Sequence, residues 1–146
     1  MSYRFSCASK RRLLDAHPDL ARVAERALLL SPHDFAVTES VRTIERQTEL
    51  QAKGFSKTLH SMHLRQIDGY AHAIDVIAVG DLNGDGTVDH KDMTLTWNPE
   101  LYAEIAAAFK EAAQNLGVSI RWGGDFKTRD GDPFFDGPHF ELVDAA

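Results

Sequence analysis

The run Tyr70 to Val79 limits most tightly what this chain can fold into. It reads YAHAIDVIAV, and its β-branched residues with small alanines between them are typical of a strand within a sheet. Side chains two residues apart lie on the same face of a strand, so we expect Ala71, Ala73 and Asp75 on one side. The two alanines would leave room for a metal ion above the Asp75 carboxylate.

Helical patterns lie on both sides of this strand. Apolar spacing predicts two short helices between Ser9 and Leu30, a helix over Thr43 to Lys53 that ends at Gly54, and a helix over Pro99 to Leu116 that ends at Gly117. Shorter strands are predicted over Phe35 to Thr38, Val118 to Trp122 and Pro138 to Val143, with loops over 55–69, 80–92 and 123–137. This order predicts an α+β fold, a small and mostly antiparallel sheet flanked by helices.

Size and charge exclude several classes of protein. The 146 residues fit one domain spanning 1–146, and a net charge of −6 argues against a nucleic-acid partner. No window approaches the roughly 18 apolar residues of a membrane-spanning helix, and Met1 to Cys7 lacks the apolar core of a signal peptide. One cysteine cannot form an internal disulfide. We therefore expect a monomer, made in a reducing cytoplasm, with no membrane partner.

The segment 81–92 matches the twelve-residue pattern of an EF-hand calcium loop. Glycine stands at position 6 and an apolar residue at position 8, while position 12 is Asp instead of the usual Glu. Ca²⁺ ligands are predicted at Asp81, Asn83, Asp85, Thr87 (through its backbone carbonyl), Asp89 and Asp92. The alternative is a solvated acidic turn without an ion.

A second group of metal-ligating residue types surrounds this loop. His63, Asp75 and His139 would supply two imidazoles and a carboxylate, which suits a catalytic zinc with its fourth position open. Glu141 is expected on the same strand face as His139. Spacing alone does not establish the site, because the chain has no compact HExxH-like signature and each histidine could be structural.

Several motifs together are more specific. The chain contains Ser61-Met62-His63, then Ala71-His72-Ala73-Ile74-Asp75, and later Trp122-Gly123-Gly124-Asp125-Phe126 and Asp136-Gly137-Pro138-His139-Phe140-Glu141-Leu142. Upstream are His17-Pro18-Asp19-Leu20, Asp34-Phe35 and Val41-Arg42-Thr43 with Gln47. This set resembles the zinc D-alanyl-D-alanine carboxypeptidase/L-alanyl-D-glutamate endopeptidase family, and within it the bacteriophage endolysins.

The resemblance implies a hedgehog/D,D-peptidase-like fold with the calcium-type loop as an insertion. It implies zinc ligation by His63, Asp75 and His139, with Asp136 as the catalytic base. It also implies that Arg42 stabilises the oxyanion, for which the alternative is a surface salt bridge, and that Ser61 contacts substrate. The implied substrate is a peptidoglycan stem peptide, reached in the cell wall after synthesis in the host cytoplasm. The position of the loop directly after the ligand strand suggests a second hypothesis, that calcium there regulates the activity; the alternative is a structural ion.

One departure from the family pattern concerns spacing. Many members place the ligand Asp seven residues after the first ligand His, whereas His63 and Asp75 are twelve residues apart. An insertion around 65–70 must therefore loop out, and Asp68 is the alternative ligand.

Two alternative functions stay open at the level of sequence. One keeps the fold and changes the bond, giving a D,D- or L,D-carboxypeptidase. The other is a non-catalytic calcium-dependent binding module with structural histidines, although such a module has no need for a carboxylate three residues before a ligand histidine.

Overall fold

A computed structural model describes residues 3–42, 44–52, 63–64, 66, 68–87, 98–125 and 137–143. The helices are α1 (Cys7–Leu14), α2 (Pro18–Leu30), α3 (Ile44–Ala52) and α4 (Pro99–Leu116). The strands are β1 (Phe35–Glu39), β2 (Ala73–Ala78), β3 (Ile120–Trp122) and β4 (His139–Leu142). These elements confirm the predicted order and the α+β class.

The longest helix begins and ends at residues that satisfy its free backbone groups. The Asn98 side chain accepts a hydrogen bond from the Glu100 backbone N–H at 2.9 Å, and Pro99 follows in the first turn. Gly117 ends α4 in the left-handed conformation, with φ of 69°. In the portion of the chain that is described, no helix combines the length and apolarity needed to cross a membrane.

The predicted boundaries of the first helix and of the strands differ from the observed ones by one to three residues. The main strand begins at Ala73 instead of Tyr70, because Ala71 bonds to the α1–α2 junction: its N–H donates to Asp15 O at 3.0 Å and its carbonyl accepts from His17 N–H at 2.9 Å. The predicted loop after Trp122 starts with a 3-10 turn over Gly123–Asp125.

The four described strands form one antiparallel sheet in the order β1-β2-β4-β3. The interior strands are therefore β2 and β4, and Asp75 of β2 lies directly opposite His139 of β4. On the far side of β4, Arg121 lies opposite Glu141. This register places two predicted ligands side by side in the middle of the sheet.

The two faces of the sheet have different roles. One face is apolar and covered by helices; there Phe109 of α4 stacks on Phe140 of β4 with ring centroids 3.8 Å apart. Alternation along the strands sends Asp75, His139 and Glu141 to the opposite face. We call that opposite face the site face.

A β-bulge in β1 changes which face Glu39 occupies. Val37 pairs with Val76, but Glu39 pairs with Asp75, so the register shifts between them. Without the shift, Glu39 would lie on the apolar face with Val37. The bulge therefore places Glu39 on the site face, next to Asp75.

Candidate metal centre

Three side chains meet on the site face, and they are the three predicted zinc ligands. His63 Nε2 lies 3.2 Å from Asp75 Oδ1 and 3.2 Å from His139 Nδ1, and His139 Nδ1 lies 3.4 Å from Asp75 Oδ1. Both imidazoles are buried, whereas Asp75 is partly exposed. Among the described residues this is the group of histidine and acidic side chains arranged to hold a metal ion.

Hydrogen bonds fix which nitrogen of each imidazole faces Asp75. His63 Nδ1 donates to the backbone carbonyl of Ser40 at 2.8 Å, and His139 Nε2 donates to Glu141 Oε1 at 2.8 Å. With those nitrogens protonated, the neutral rings direct the lone pairs of His63 Nε2 and His139 Nδ1 toward Asp75. Three electron-pair donors thus face one another, and this arrangement favours a cation between them.

The size of the cluster suits a tetrahedral metal ion. Ligand atoms about 2.0–2.1 Å from a tetrahedral zinc are about 3.3 Å apart. The measured separations of 3.2, 3.2 and 3.4 Å match that value. The three donors therefore fit such an ion.

Asp75 is held in its ionised form. Burial alone would raise the pKa of this carboxyl, but a proton on the nitrogen of His139 or His63 that faces Asp75, in the place where a metal ion would bind, outweighs burial and lowers the pKa well below its usual range. Arg42 NH2 also lies 3.6 Å from Asp75 Oδ2. The guanidinium is fixed there by Glu39, which accepts from Arg42 Nε at 2.7 Å and from NH2 at 3.0 Å.

Glu141 is a buried carboxylate behind His139. Its second oxygen, Oε2, accepts from Arg121 NH2 at 3.2 Å. Burial opposes ionisation, but the His139 N–H and the charge of Arg121 outweigh it, so the pKa of Glu141 lies below its usual value.

Asp68, the alternative ligand, lies in a different cluster. Its Oδ2 accepts from His72 Nε2 at 2.7 Å and lies 3.8 Å from His17 Nε2. His72 is three residues before Asp75 and so faces the other side of the strand. The structure therefore favours Asp75 over Asp68 as the carboxylate of the metal cluster.

Some predicted site residues lie outside the described residues: Ser61, Asp89, Asp92 and Asp136. The turn that follows Asp136 is described and is held at two points. Trp122 Nε1 donates to Gly137 O at 2.9 Å, and Val76 N–H donates to Pro138 O at 2.9 Å. These bonds fix the start of β4, and with it His139.

The described part of the predicted calcium loop is exposed and is organised by its own side chains. Asp81 accepts from the backbone N–H groups of Gly84 and Gly86 at 3.0 and 2.6 Å. Asp85 accepts from the Thr87 N–H at 2.9 Å, and Asn83 accepts from the Asp85 N–H at 3.1 Å. This turn is compatible with either an ion or a solvated loop, so it does not confirm an EF-hand.

Sequence reasoning missed the partners that orient the cluster. Glu39 was not found because its place depends on the bulge in β1, which alternation does not reveal. Ser40 acts through a backbone carbonyl and so leaves no signal in residue type. Glu141 was placed correctly on the face of His139, but its bond to that ring was not predicted.

Comparisons with known proteins identify the family of this chain. The sequence profile of a family described as phage L-alanyl-D-glutamate peptidase matches residues 1–143. The L-alanyl-D-glutamate peptidase of Escherichia phage T5 is 32% identical over 150 residues, which cover 98% of this chain and 100% of that protein. The crystal structure of the L-Ala D-Glu endopeptidase ChiX of Serratia marcescens matches with a TM-score of 0.73 and 38% identity, over 97% of this chain and 91% of that one.

Proposed function

This chain belongs to the phage L-alanyl-D-glutamate peptidase family, and from that premise we propose that it is a zinc-dependent endopeptidase that cuts peptidoglycan stem peptides between L-alanine and D-glutamate. The observation that carries the proposal is the His63, Asp75 and His139 cluster, whose donor atoms converge at 3.2–3.4 Å. Family membership disfavours the alternative of a non-catalytic binding module.

Zinc is the ion that this donor set suits best. Two neutral imidazoles and one carboxylate are the protein ligands of many catalytic zinc sites, and they leave one position for substrate or water. When bound, the ion supplies Lewis-acid chemistry at the scissile carbonyl.

Proton transfer is assigned to Asp136. Its carboxylate would accept the proton of the attacking water and return it to the leaving amine nitrogen. Two observations support this role: Asp136 directly precedes the turn that Trp122 and Val76 hold, and it is three residues before His139.

Arg42 would stabilise the negative charge that develops on the scissile oxygen. Its side chain is only 9% exposed and its guanidinium lies 3.6 Å from Asp75, so its positive charge is already at the site before substrate arrives. Glu39 fixes the guanidinium through two hydrogen bonds, which limits the reorganisation needed during the reaction. Ser61 is proposed to contact the stem peptide.

The proposed setting follows from the substrate. The protein would be made as a monomer in the host cytoplasm and would cut the cell wall after its release. Because its substrate would be the stem peptide of peptidoglycan, it requires no nucleic-acid or membrane partner.

The test is digestion of purified peptidoglycan, with mass spectrometry of the released peptides. We expect new termini at L-alanine and D-glutamate, and we expect His63→Ala and Asp136→Ala to lower the rate by at least about 100-fold with the fold intact. His33→Ala is the matched control, because His33 pairs with Glu104 on the surface and should keep full activity. Release of D-alanine instead would indicate a carboxypeptidase, and full activity of His63→Ala would refute the zinc site.

The calcium site at 81–92 stays a prediction within this proposal. Its support is the sequence pattern alone, because the turn that Asp81, Asn83 and Asp85 form around Gly84 and Gly86 fits a solvated loop equally well. An ion there would stabilise the segment that directly follows β2 and could thereby regulate activity.

A further inference from the structure

We propose that Glu141 is the positioning residue for His139, and that Arg121 in turn holds Glu141 in place. This inference rests on the proposed metal site and names residues that support it without touching substrate. Its basis is a continuous line of contacts across two strands: Arg121 NH2 to Glu141 Oε2 at 3.2 Å, then Glu141 Oε1 to His139 Nε2 at 2.8 Å.

Glu141 determines which nitrogen of the His139 ring carries the proton. An ionised carboxylate can only accept hydrogen bonds, so contact with Glu141 requires the proton to be on Nε2. Nδ1, which lies 3.2 Å from His63 Nε2, then keeps its lone pair. Glu141 thus selects the tautomer that can bind a metal at the cluster.

The two histidines of the cluster differ in the group that orients each ring. The ring of His63 is oriented by a neutral backbone carbonyl, that of Ser40, whereas the ring of His139 is oriented by a buried charge. An anionic partner raises the electron density of an imidazole more than a neutral carbonyl does. Replacing Glu141 should therefore weaken the metal bond made by His139.

Arg121 supplies the partner that the buried Glu141 carboxylate needs. Glu141 is only 7% exposed, and a buried carboxylate is costly unless its oxygens are paired. Arg121 lies directly opposite it in the register of β3 and β4, where cross-strand side chains meet. Because the arginine itself is largely exposed, its contribution should be smaller than that of Glu141.

The charged groups on the site face also affect the binding of a metal ion. Three carboxylates lie there, Asp75 within the cluster and Glu39 and Glu141 beside it, and two arginines pair with them. One negative charge is therefore unmatched before a divalent ion binds. That charge attracts the ion, while the orientation of His139 by Glu141 decides how well one of its ligands can bind.

The experiment measures zinc affinity by competition with a chromophoric chelator, and the His139 tautomer by ¹⁵N NMR of the metal-free protein. Glu141→Ala should weaken zinc binding by about 10–100-fold and give a mixture of His139 tautomers. In Glu141→Gln the amide oxygen still accepts from Nε2, so the tautomer should persist, but the lost negative charge should weaken zinc binding by about three- to tenfold. Arg121→Ala should lose at most about fivefold, and Arg121→Lys should recover part of that loss.

Glu104→Gln is the matched control, because Glu104 also pairs with a histidine, His33, but lies away from the site. It should bind zinc as the wild type does. Should Glu141→Ala not fold, as judged by circular dichroism, Glu141→Gln still decides: zinc affinity within twofold of the wild type would overturn the proposal. A wild-type protein in which His139 carries its proton on Nδ1 would also overturn the proposal. Absence of zinc binding by the wild type would instead refute the proposed function, and the tautomer would still test Glu141.

Discussion

Asp75 is the residue on which the charges of the site converge. Its Oδ1 faces both imidazoles at 3.2 and 3.4 Å, and its Oδ2 faces Arg42 at 3.6 Å. One oxygen therefore serves the metal position while the other contacts the guanidinium. An amide in its place would lose the negative charge needed for both contacts.

The first prediction compares Asp75→Asn with Asp68→Asn. We expect Asp75→Asn to weaken zinc binding more than about 100-fold, since loss of a mere outer partner of a ligand already costs about 10–100-fold. Asp68→Asn should stay within about threefold, because Asp68 pairs with His72 on the other side of the strand. Zinc titration of both metal-free variants measures this, and the opposite ranking would make Asp68 the ligand.

At the scale of residues, the sequence was sufficient to predict which side chains meet and insufficient for the partners that orient them. His63, Asp75 and His139 were selected by residue type together with the family resemblance of the motifs around them, and the structure brings the three together. The partner of His63 is a backbone carbonyl 23 residues away along the chain, and that contact depends on tertiary packing. Such a partner cannot be deduced from residue type.

At the scale of elements, the turn before β4 depends on the packing of Trp122. The indole is buried, and its N–H holds the Gly137 carbonyl. Lys110 of α4 lies 5.3 Å from the centroid of its ring. Gly124 leaves space for that ring: a Cβ built at this position would be 2.3 Å from a Trp122 ring atom.

The second prediction is that Gly124→Ala destabilises the protein by about 1–3 kcal/mol, because the held indole cannot move away from the new methyl group without strain. Urea unfolding measures the change. Ser119→Ala is the control, an exposed position just before β3, and should change the free energy of unfolding by less than about 0.5 kcal/mol. Equal stabilities of the two variants would show that Trp122 is free to shift.

The elements themselves were predicted well where local signals are strong. The predicted bounds of α4 equal the observed ones because Asn98, Pro99 and Gly117 mark both ends. The bulge in β1 and the 3-10 turn at Gly123–Asp125 were not predicted. Both depend on contacts with other strands and leave no periodic pattern.

At the scale of the whole molecule, the sheet separates stability from chemistry. Phe35, Phe109 and Phe140 form a continuous aromatic contact on the apolar face, with centroids 5.4 and 3.8 Å apart. The metal cluster lies on the other face of the same strands. The fold should therefore persist without metal, and metal should add to its stability.

The third prediction is that zinc at about 100 times its dissociation constant stabilises the folded protein by about 2.7 kcal/mol. For a chain of this size that raises the melting temperature by about 5–10 °C. His139→Ala should abolish the shift, and His33→Ala should retain it. Repeating the melting series with calcium tests the loop. A further rise in melting temperature that Asp81→Asn abolishes would support the calcium prediction. Identical melting curves with zinc and with a chelator would contradict the metal site.

The strand order has a consequence for how the molecule assembles. β4 follows the other described strands in the chain, yet it lies between β2 and β3 and carries His139. A growing polypeptide that has not reached residue 139 lacks one ligand and leaves the inner edge of β2 unpaired. Such long-range pairing forms late and slowly in folding. The peptidase would consequently become competent only after synthesis has passed β4, so nascent chains would remain inert toward their substrate.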